Sequence, residues 1–358
     1  MSDLIVALQK IIEVKEHPNA DRLDVAVVLG WEVATQKGNV QSGDIVLYVP
    51  PDALIPRSLA EQWGVAPYLS FKSGSNMGRV RAARIRSYVS YGFTVPAHKL
   101  GIEAEIGEDL KEHFGIEKYE PPERLDAGLQ EKDNPLFHQY TDIQRIENYP
   151  EDLIVGEEVV ATEKIHGTNS RVGLVSDLNS ETEEHEFVLM IGSHKHRRKF
   201  EEGSLYYVPI RLLGEAKLKA ALQKVLTDRG ILKGSAILFG EVYGAGVQKG
   251  YPYETTREAS FRVFDLAVNG VYVNHDVLLD FCQENDIQVV PELFRGSYDY
   301  GAMKQLSQGN STLGKHIREG IVVKPVVERY ARIGAVYRRT IYKFINPEYE
   351  LKDNPDSH

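Results

Sequence analysis

The chain of 358 residues carries 52 acidic against 42 basic side chains, a formal net charge of -10, with 26% charged and 42% hydrophobic residues. This composition excludes a disordered or fibrous chain and leaves room for two domains. It argues against a surface coated in positive charge for indiscriminate nucleic-acid binding, while a local basic groove stays compatible with it. Cys282 is the single cysteine, so neither an intrachain disulfide nor a thiolate zinc site can form, and a reducing, cytoplasmic setting is expected. Residues 1–6 have no basic n-region, and no run of about 18 apolar residues occurs, so no membrane partner is expected.

The first hundred residues read as β structure. Short apolar or alternating runs cover 5–14, 24–28, 32–34, 44–49, 79–85 and 91–95. They are separated by turn residues such as Pro18-Asn19-Ala20-Asp21, Gly38-Asn39 and Ser73-Gly74-Ser75-Asn76. Strands at this spacing predict a small barrel over 1–98, with a brief helical turn at 59–63. Residues 99–135 are charged, contain Pro121 and Pro122, and lack periodicity, which predicts a linker. A larger mixed domain is expected over 136–358. Its strands fall at 159–163, 170–174, 187–191, 236–242, 260–268, 320–327 and 339–345. Its helices fall at 212–229, closed by Gly230, and at 276–284 and 300–307.

Five stretches carry candidate chemistry. In Glu163-Lys164-Ile165-His166-Gly167-Thr168-Asn169, a lysine stands before a glycine and several short polar groups. An ordinary lysine leaves only about one amine in a thousand neutral near pH 7, so a nucleophilic Lys164 needs surroundings that tune it. Gly167 would let a phosphate or ribose approach the backbone, although a surface lysine before a tight turn has the same local pattern. Glu241 follows an apolar run between Gly240 and Gly244. Phe261 and Phe264 share one strand, either of them available to lie against a flat ligand. Glu319-Gly320 opens an apolar strand that Lys324 closes, and Lys343 interrupts another.

Singly these are ordinary; in this order they resemble the nucleotidyltransferase motifs of ATP-dependent ligases and mRNA capping enzymes. Lys164, Glu241, Phe264, Glu319 and Lys343 stand at the motif positions. The segment 244–253 is similar to the stretch that follows the third motif in RNA ligases sealing nicked duplexes. His17-Pro18-Asn19-Ala20-Asp21-Arg22-Leu23 and Arg79-Val80-Arg81 resemble the OB-fold domain that precedes the catalytic domain in RNA ligases of the Deinococcus and Naegleria type. The resemblance covers nearly the whole chain. It implies an α+β protein, an N-terminal OB-fold β-barrel followed by an ATP-grasp-like nucleotidyltransferase domain of antiparallel sheets and helices. Because the barrel comes first, a DNA ligase or a GTP-using capping enzyme fits less well. A non-catalytic RNA- or tRNA-binding OB protein would leave the ordered motifs without a role.

What the resemblance implies is an ATP-dependent RNA ligase using magnesium or manganese. Its partner would be RNA with 5′-phosphate and 3′-hydroxyl ends at a nick, handled by a monomer. Lys164 would carry AMP, with Lys343 and Lys324 as cations for the α-phosphate. Glu241 and Glu319 would bind ribose or the metal, Phe264 (with Phe261 in reserve) would stack on adenine, and Glu163, His166 and Asn169 would touch the nucleotide. Arg145, His194, Lys195, Arg197, Arg198, Arg79 and Arg81 would meet RNA phosphates. Two positions depart from the family pattern. Ile345 stands where several RNA ligases carry a second lysine, and His194 follows Gly192-Ser193 where an arginine is usual. The basic run 194–199 and the arginines at 79–86 read equally as solvated faces.

Overall fold

The computed structural model describes residues 3–120, 130–178, 184–251, 253, 258–333 and 336–352; Pro121 and Pro122 of the expected linker lie outside them. The chain divides into two compact units. One comprises residues 1–123, 144–151 and 350–358, and the other 124–143 and 152–349.

The first unit is built on a five-stranded antiparallel sheet with the order Phe93–Pro96, Ile45–Val49, Ala7–Glu16, Leu23–Val28, Trp31–Gln36. Ile45–Val49 is apolar along its length because it is buried on both faces. Leu47 and Val49 join Val6, Leu8 and Ile55, while Val46 and Tyr48 join Ile11, Val28 and Trp31. The expected strand 79–85 is two strands, Met77–Arg79 and Ala82–Ile85. The second forms a hairpin with Tyr88–Tyr91 through Arg86 and Ser87, both at positive φ, the pairing that suits the twist of a two-residue turn.

The segment read as linker is packed instead. Leu110 and Ile116 are buried among Val6, Leu8 and Ile55, and Leu100, Ile102, Ala104 and Phe114 pack against the same cluster. The Leu110 N–H donates to the Val6 carbonyl at 2.7 Å, and Glu117–Lys118 pairs with Ala53–Pro56. These apolar residues are spaced for an irregular path over the barrel, so no period betrays them.

Among the described residues the second unit holds two larger antiparallel sheets and a two-stranded hairpin. A six-stranded sheet runs Arg197–Arg198, His185–Ser193, Thr168–Leu178, Ser235–Gly244, Ala259–Val268, Val271–Tyr272. A second sheet runs Tyr342–Ile345, Gly320–Pro325, Glu158–Lys164, Glu292–Ser297. One face of the larger sheet, with Val172, Leu238, Phe261 and Val263, lies under Val208–Leu213, Glu215–Asp228 and His275–Glu284. The helix expected over 212–229 is broken at Gly214, whose φ of +82° ends one helix and starts the next. Ile237, Phe239 and Ala267 on the opposite face pack with Tyr140, Ile341 and Val322, so the two sheets face each other. Among the described residues no helix is long and apolar enough to cross a membrane.

Candidate active site

The facing surfaces of these two sheets collect Lys164, Lys324, Lys343, Glu241 and Phe264 of the predicted residues. Along Glu158–Lys164 the register sets Val160 opposite Lys324, Thr162 opposite Val322 and Lys164 opposite Gly320; on the far side Val322 pairs with Lys343 and Gly320 with Ile345. Directly paired residues share a face and alternate residues return to it, so Lys164, Lys324, Lys343 and Ile345 all project from one face. On the other sheet Asn169 pairs with Glu241, which pairs with Arg262. The ladder there slips between Phe239 and Gly240, leaving Phe264 as an extra residue between Val263 and Asp265. Such a bulge turns successive side chains toward the same side. Phe264 accordingly packs with Tyr140 at 4.8 Å on the Glu241 face, while Phe261 is buried in the core beneath the sheet. Of the two phenylalanines, only Phe264 adjoins the cleft.

Lys164 donates to the Glu319 carboxylate, with a quarter of its side chain exposed. Burial alone would favour the neutral amine, but Glu319 and Glu241 outweigh it and hold the pKa above the usual lysine value. Burial likewise opposes charge on Glu319, yet Lys164 and His166 bring it down to about 2. Glu241 is left over. Burial pushes its carboxyl up to about 8, with Lys164 and the Gly167 N–H pulling down and Glu319 pushing further up. The cluster therefore holds one more carboxyl group than its lysine can neutralise.

His166 lies 3.5 Å from the Glu319 carboxylate and 2.7 Å from the Tyr349 hydroxyl, and its backbone N–H donates to the Tyr253 hydroxyl at 2.6 Å. Gly167 is sterically required. A Cβ there would lie 2.3 Å from the Val242 carbonyl oxygen, and Gln248 donates to the Gly167 carbonyl at 2.9 Å. Asn169 Oδ1 is buried without a hydrogen-bond partner, a costly state that a ligand donor would relieve. Two acidic side chains and an unmatched amide oxygen form an oxygen donor set that fits a hydrated magnesium or manganese ion; no group of three or more His, Cys, Asp or Glu poised for a metal occurs among the described residues.

Several expected residues are engaged elsewhere. The Glu163 carboxylate accepts from Ser311 Oγ at 2.5 Å and from the Thr312 N–H and hydroxyl at 2.8 and 2.6 Å, so it braces the 311–312 turn and leaves the Glu163 backbone as the route to a purine contact. Lys324 is buried 2.5 Å from Asp265 and 3.3 Å from Glu328. Arg339 adds bonds to both Asp265 oxygens at 2.9 and 3.0 Å and to Glu328, and Tyr140 donates to Asp265. Asp265, Arg339, Tyr140 and Glu328 escaped the sequence reading. The one available signal was a carboxylate set inside the apolar run 261–268.

In the basic run, His194 sits 3.3 Å from Asp142, and burial lowers its pKa. Arg197 pairs with Glu131 at 2.9 Å and Asp177 at 3.7 Å, and Arg198 is buried over the Tyr206 ring. The Lys195 carbonyl accepts from Gln139 at 2.9 Å. This is a braced turn at the sheet edge rather than a loose cationic loop. In the first unit Arg145 donates to both Glu147 oxygens and both Glu350 oxygens, each at 3.1 Å, and lies 4.7 Å from the Trp31 ring. Arg79 is held by Asp52 at 2.7 Å over the Tyr119 ring; Arg81 has its pKa lowered by burial and by Arg79.

A family profile described as RNA ligase matches residues 157–345, more than half of the chain. The chain belongs to the RNA ligase family. A second profile, of an OB-fold domain, matches residues 5–97. None of the curated proteins matches in sequence. Among solved structures the ligase is similar to a lysine-to-methionine variant of the Naegleria gruberi RNA ligase with AMP and Mn. There the TM-score is 0.77 at 18% identity, over 97% of this chain and 98% of that one. It is also similar to the Naegleria gruberi RNA ligase with PPi, with TM-score 0.77 and 20% identity over 98% and 99% of the two chains. A lysine-to-alanine variant of that enzyme with ATP and Mn gives TM-score 0.75 and 18% identity over 97% and 98%. At these identities the likeness establishes the fold: an OB-type barrel followed by a sheet-rich nucleotidyltransferase domain.

Proposed function

We propose that this RNA ligase consumes ATP and seals nicks in duplex RNA through an adenylate on Lys164. The observation that carries the proposal is the Lys164, Glu319 and Glu241 cluster beside the unmatched Asn169 oxygen and Phe264, all within the segment that matches the family. Lys164 Nζ would attack the α-phosphorus of ATP, forming an N–P bond as the bond to pyrophosphate breaks and the amine loses its proton. AMP would pass to an RNA 5′-phosphate, and a 3′-hydroxyl would then displace it to make the phosphodiester.

The electrostatics bear on the first step. With Glu319 and Glu241 alone for company, Lys164 stays protonated. A divalent ion held by those carboxylates would supply positive charge to the phosphates and weaken the carboxylates' grip on the amine. Lys343 faces the same cleft as the α-phosphate cation. Lys324 serves the fold, since its charge is already matched by Asp265 and Glu328. Phe264 would stack on adenine, and His166 and Asn169 would hold ribose and phosphate. Arg145, Arg79, Arg81, His194, Lys195, Arg197 and Arg198 would meet RNA phosphates, with Arg145, Arg79, His194 and Arg197 doing so from positions where they also hold carboxylates. A monomer in the cytoplasm is the proposed working form; the lone, buried Cys282 suits reducing conditions.

The test uses ATP labelled in the α-phosphate with magnesium or manganese. A denaturation-resistant labelled protein is expected, and Lys164→Ala removes it. An adduct that survives in the alanine variant overturns the mechanism, and labelling by GTP in place of ATP points to cap formation. Nicked duplexes with RNA or DNA on each side then test the substrate. Light scattering tests the monomer.

A further inference from the structure

Between the strand that carries Lys324 and the strand that carries Lys343, the chain makes a two-stranded hairpin of Tyr330–Ile333 and Val336–Arg339 that the proposed chemistry does not use. Its root is fixed. Arg339 is clamped by Asp265 and Glu328 and lies 3.7 Å from the Tyr272 ring centroid. Arg329 donates to Glu157 at 2.5 and 2.8 Å, to the Asp152 carbonyl at 2.6 Å and to the Thr340 hydroxyl at 3.1 Å.

Beyond the root the hairpin runs into solvent. The register sets Tyr330 opposite Arg339 and Arg332 opposite Tyr337, so Tyr330, Arg332 and Tyr337 share one face. Tyr337 is 69% exposed and Tyr330 47% exposed. Two tyrosines held in water around an arginine, on a rigid root, are unusual for a surface that only has to be solvated. The charge points the same way: beyond the root, residues 330–338 contain Arg332 and Arg338 and no acidic residue, in a chain whose net charge is -10. Aromatic faces interleaved with arginine suit a polyanion with flat bases. Stacking supplies affinity that tolerates any base, and arginine takes the phosphate.

We propose that this hairpin is a binding surface for the RNA strand beside the end being joined, with a base stacked on Tyr337 and a phosphate on Arg332. The inference deepens the ligase reading and rests on it for the identity of the strand. A fixed root four residues ahead of Lys343 would keep the bound strand at a set distance from the reacting end.

The experiment measures two quantities on Tyr337→Ala, Tyr337→Phe and Arg332→Ala. These are lysyl-adenylate formation with ATP alone, and affinity for a fluorescent nicked RNA duplex at several salt concentrations. Adenylation is expected within twofold of wild type in all three. RNA affinity is expected to fall about tenfold in Tyr337→Ala, to be restored in Tyr337→Phe, and in Arg332→Ala to fall with a salt slope smaller by about one ion. RNA affinity unchanged in both alanine variants overturns the proposal. So does concentration-dependent dimerisation that Tyr337→Ala abolishes without changing RNA affinity, which would assign the face to a second copy of the chain. Failure of the wild type to adenylate, with RNA binding still sensitive to Tyr337, sinks the ligase mechanism and leaves the binding surface standing.

Discussion

Lys164 and Lys324 project from one face of one sheet, each held by a carboxylate, and they end in different electrostatic states. Around Lys324 the charges close: Lys324 and Arg339 face Asp265 and Glu328, Tyr140 adds a hydroxyl, and all lie deep in the unit. Burial opposes the charge on Asp265, but Arg339 and Lys324 outweigh it and hold the carboxyl far below the usual range. Around Lys164 the charges do not close, and Glu241 keeps a proton up to about pH 8. A balanced, water-excluded network has nothing left to offer a ligand and acts as scaffold. An unbalanced, partly open one has a surplus carboxyl group, which the proposed divalent ion would match.

The largest effect expected from this contrast is on stability. Asp265→Asn keeps the volume but leaves Lys324 and Arg339 buried with only Glu328, and urea unfolding should show a loss of about 3–5 kcal/mol. Glu319→Gln, at the open cluster, should cost clearly less, because a quarter of the Lys164 side chain already meets water. Equal losses would erase the distinction between scaffold and site.

The two clusters were unequally legible in the sequence, for a physical reason. Lys164, Glu241, Glu319 and Lys343 each sit in a short stretch whose neighbours announce them: a glycine that must be a glycine, or an apolar strand that a charge interrupts. Gly320 is such a case, with φ of +154° and a would-be Cβ 2.1 Å from the Phe344 carbonyl oxygen. The role of Asp265 depends on a one-residue slip against the neighbouring strand, and that slip is a property of the pair of strands. Arg145 finds Glu350 across 205 positions, a pairing no local window contains. Residues 99–120 failed as a linker for a related reason, since their apolar residues match the curvature of a barrel rather than the period of a helix or strand.

A smaller effect, of opposite sign, is expected at Glu241. Its folded-state pKa of about 8 lies above the ordinary glutamate value. Between those values the folded chain keeps a proton that the unfolded chain has released, so stability falls as pH rises through that window and is level above it. Glu241→Gln has no proton to retain. Its stability relative to wild type should match at pH 4 and exceed it by on the order of 1–3 kcal/mol at pH 8, read from unfolding midpoints at each pH. Adenylation should fall at the same time by about 100-fold or more. A variant no more stable at pH 8 would mean that the carboxyl is ionised and matched by groups other than Lys164.

The smallest effect tests the departure at Ile345. This part-buried side chain shares the Lys164 face, one strand beyond Gly320, where a cation would act on both the amine and the surplus carboxyl. Ile345→Lys adds that cation with a stem long enough to keep its ammonium in water. Its field should draw Glu241 toward ionisation and lower the Lys164 pKa, since a like charge disfavours the protonated amine. Stability should move by less than about 1 kcal/mol. The rate of adenylation at pH 7 should rise by about two- to tenfold, with its pH profile displaced toward acid. The displacement separates an electrostatic contribution from a change in packing: a rate change with an unmoved profile would assign Ile345 to the shape of the cleft, and Lys343 would then act as the only motif lysine that the α-phosphate requires.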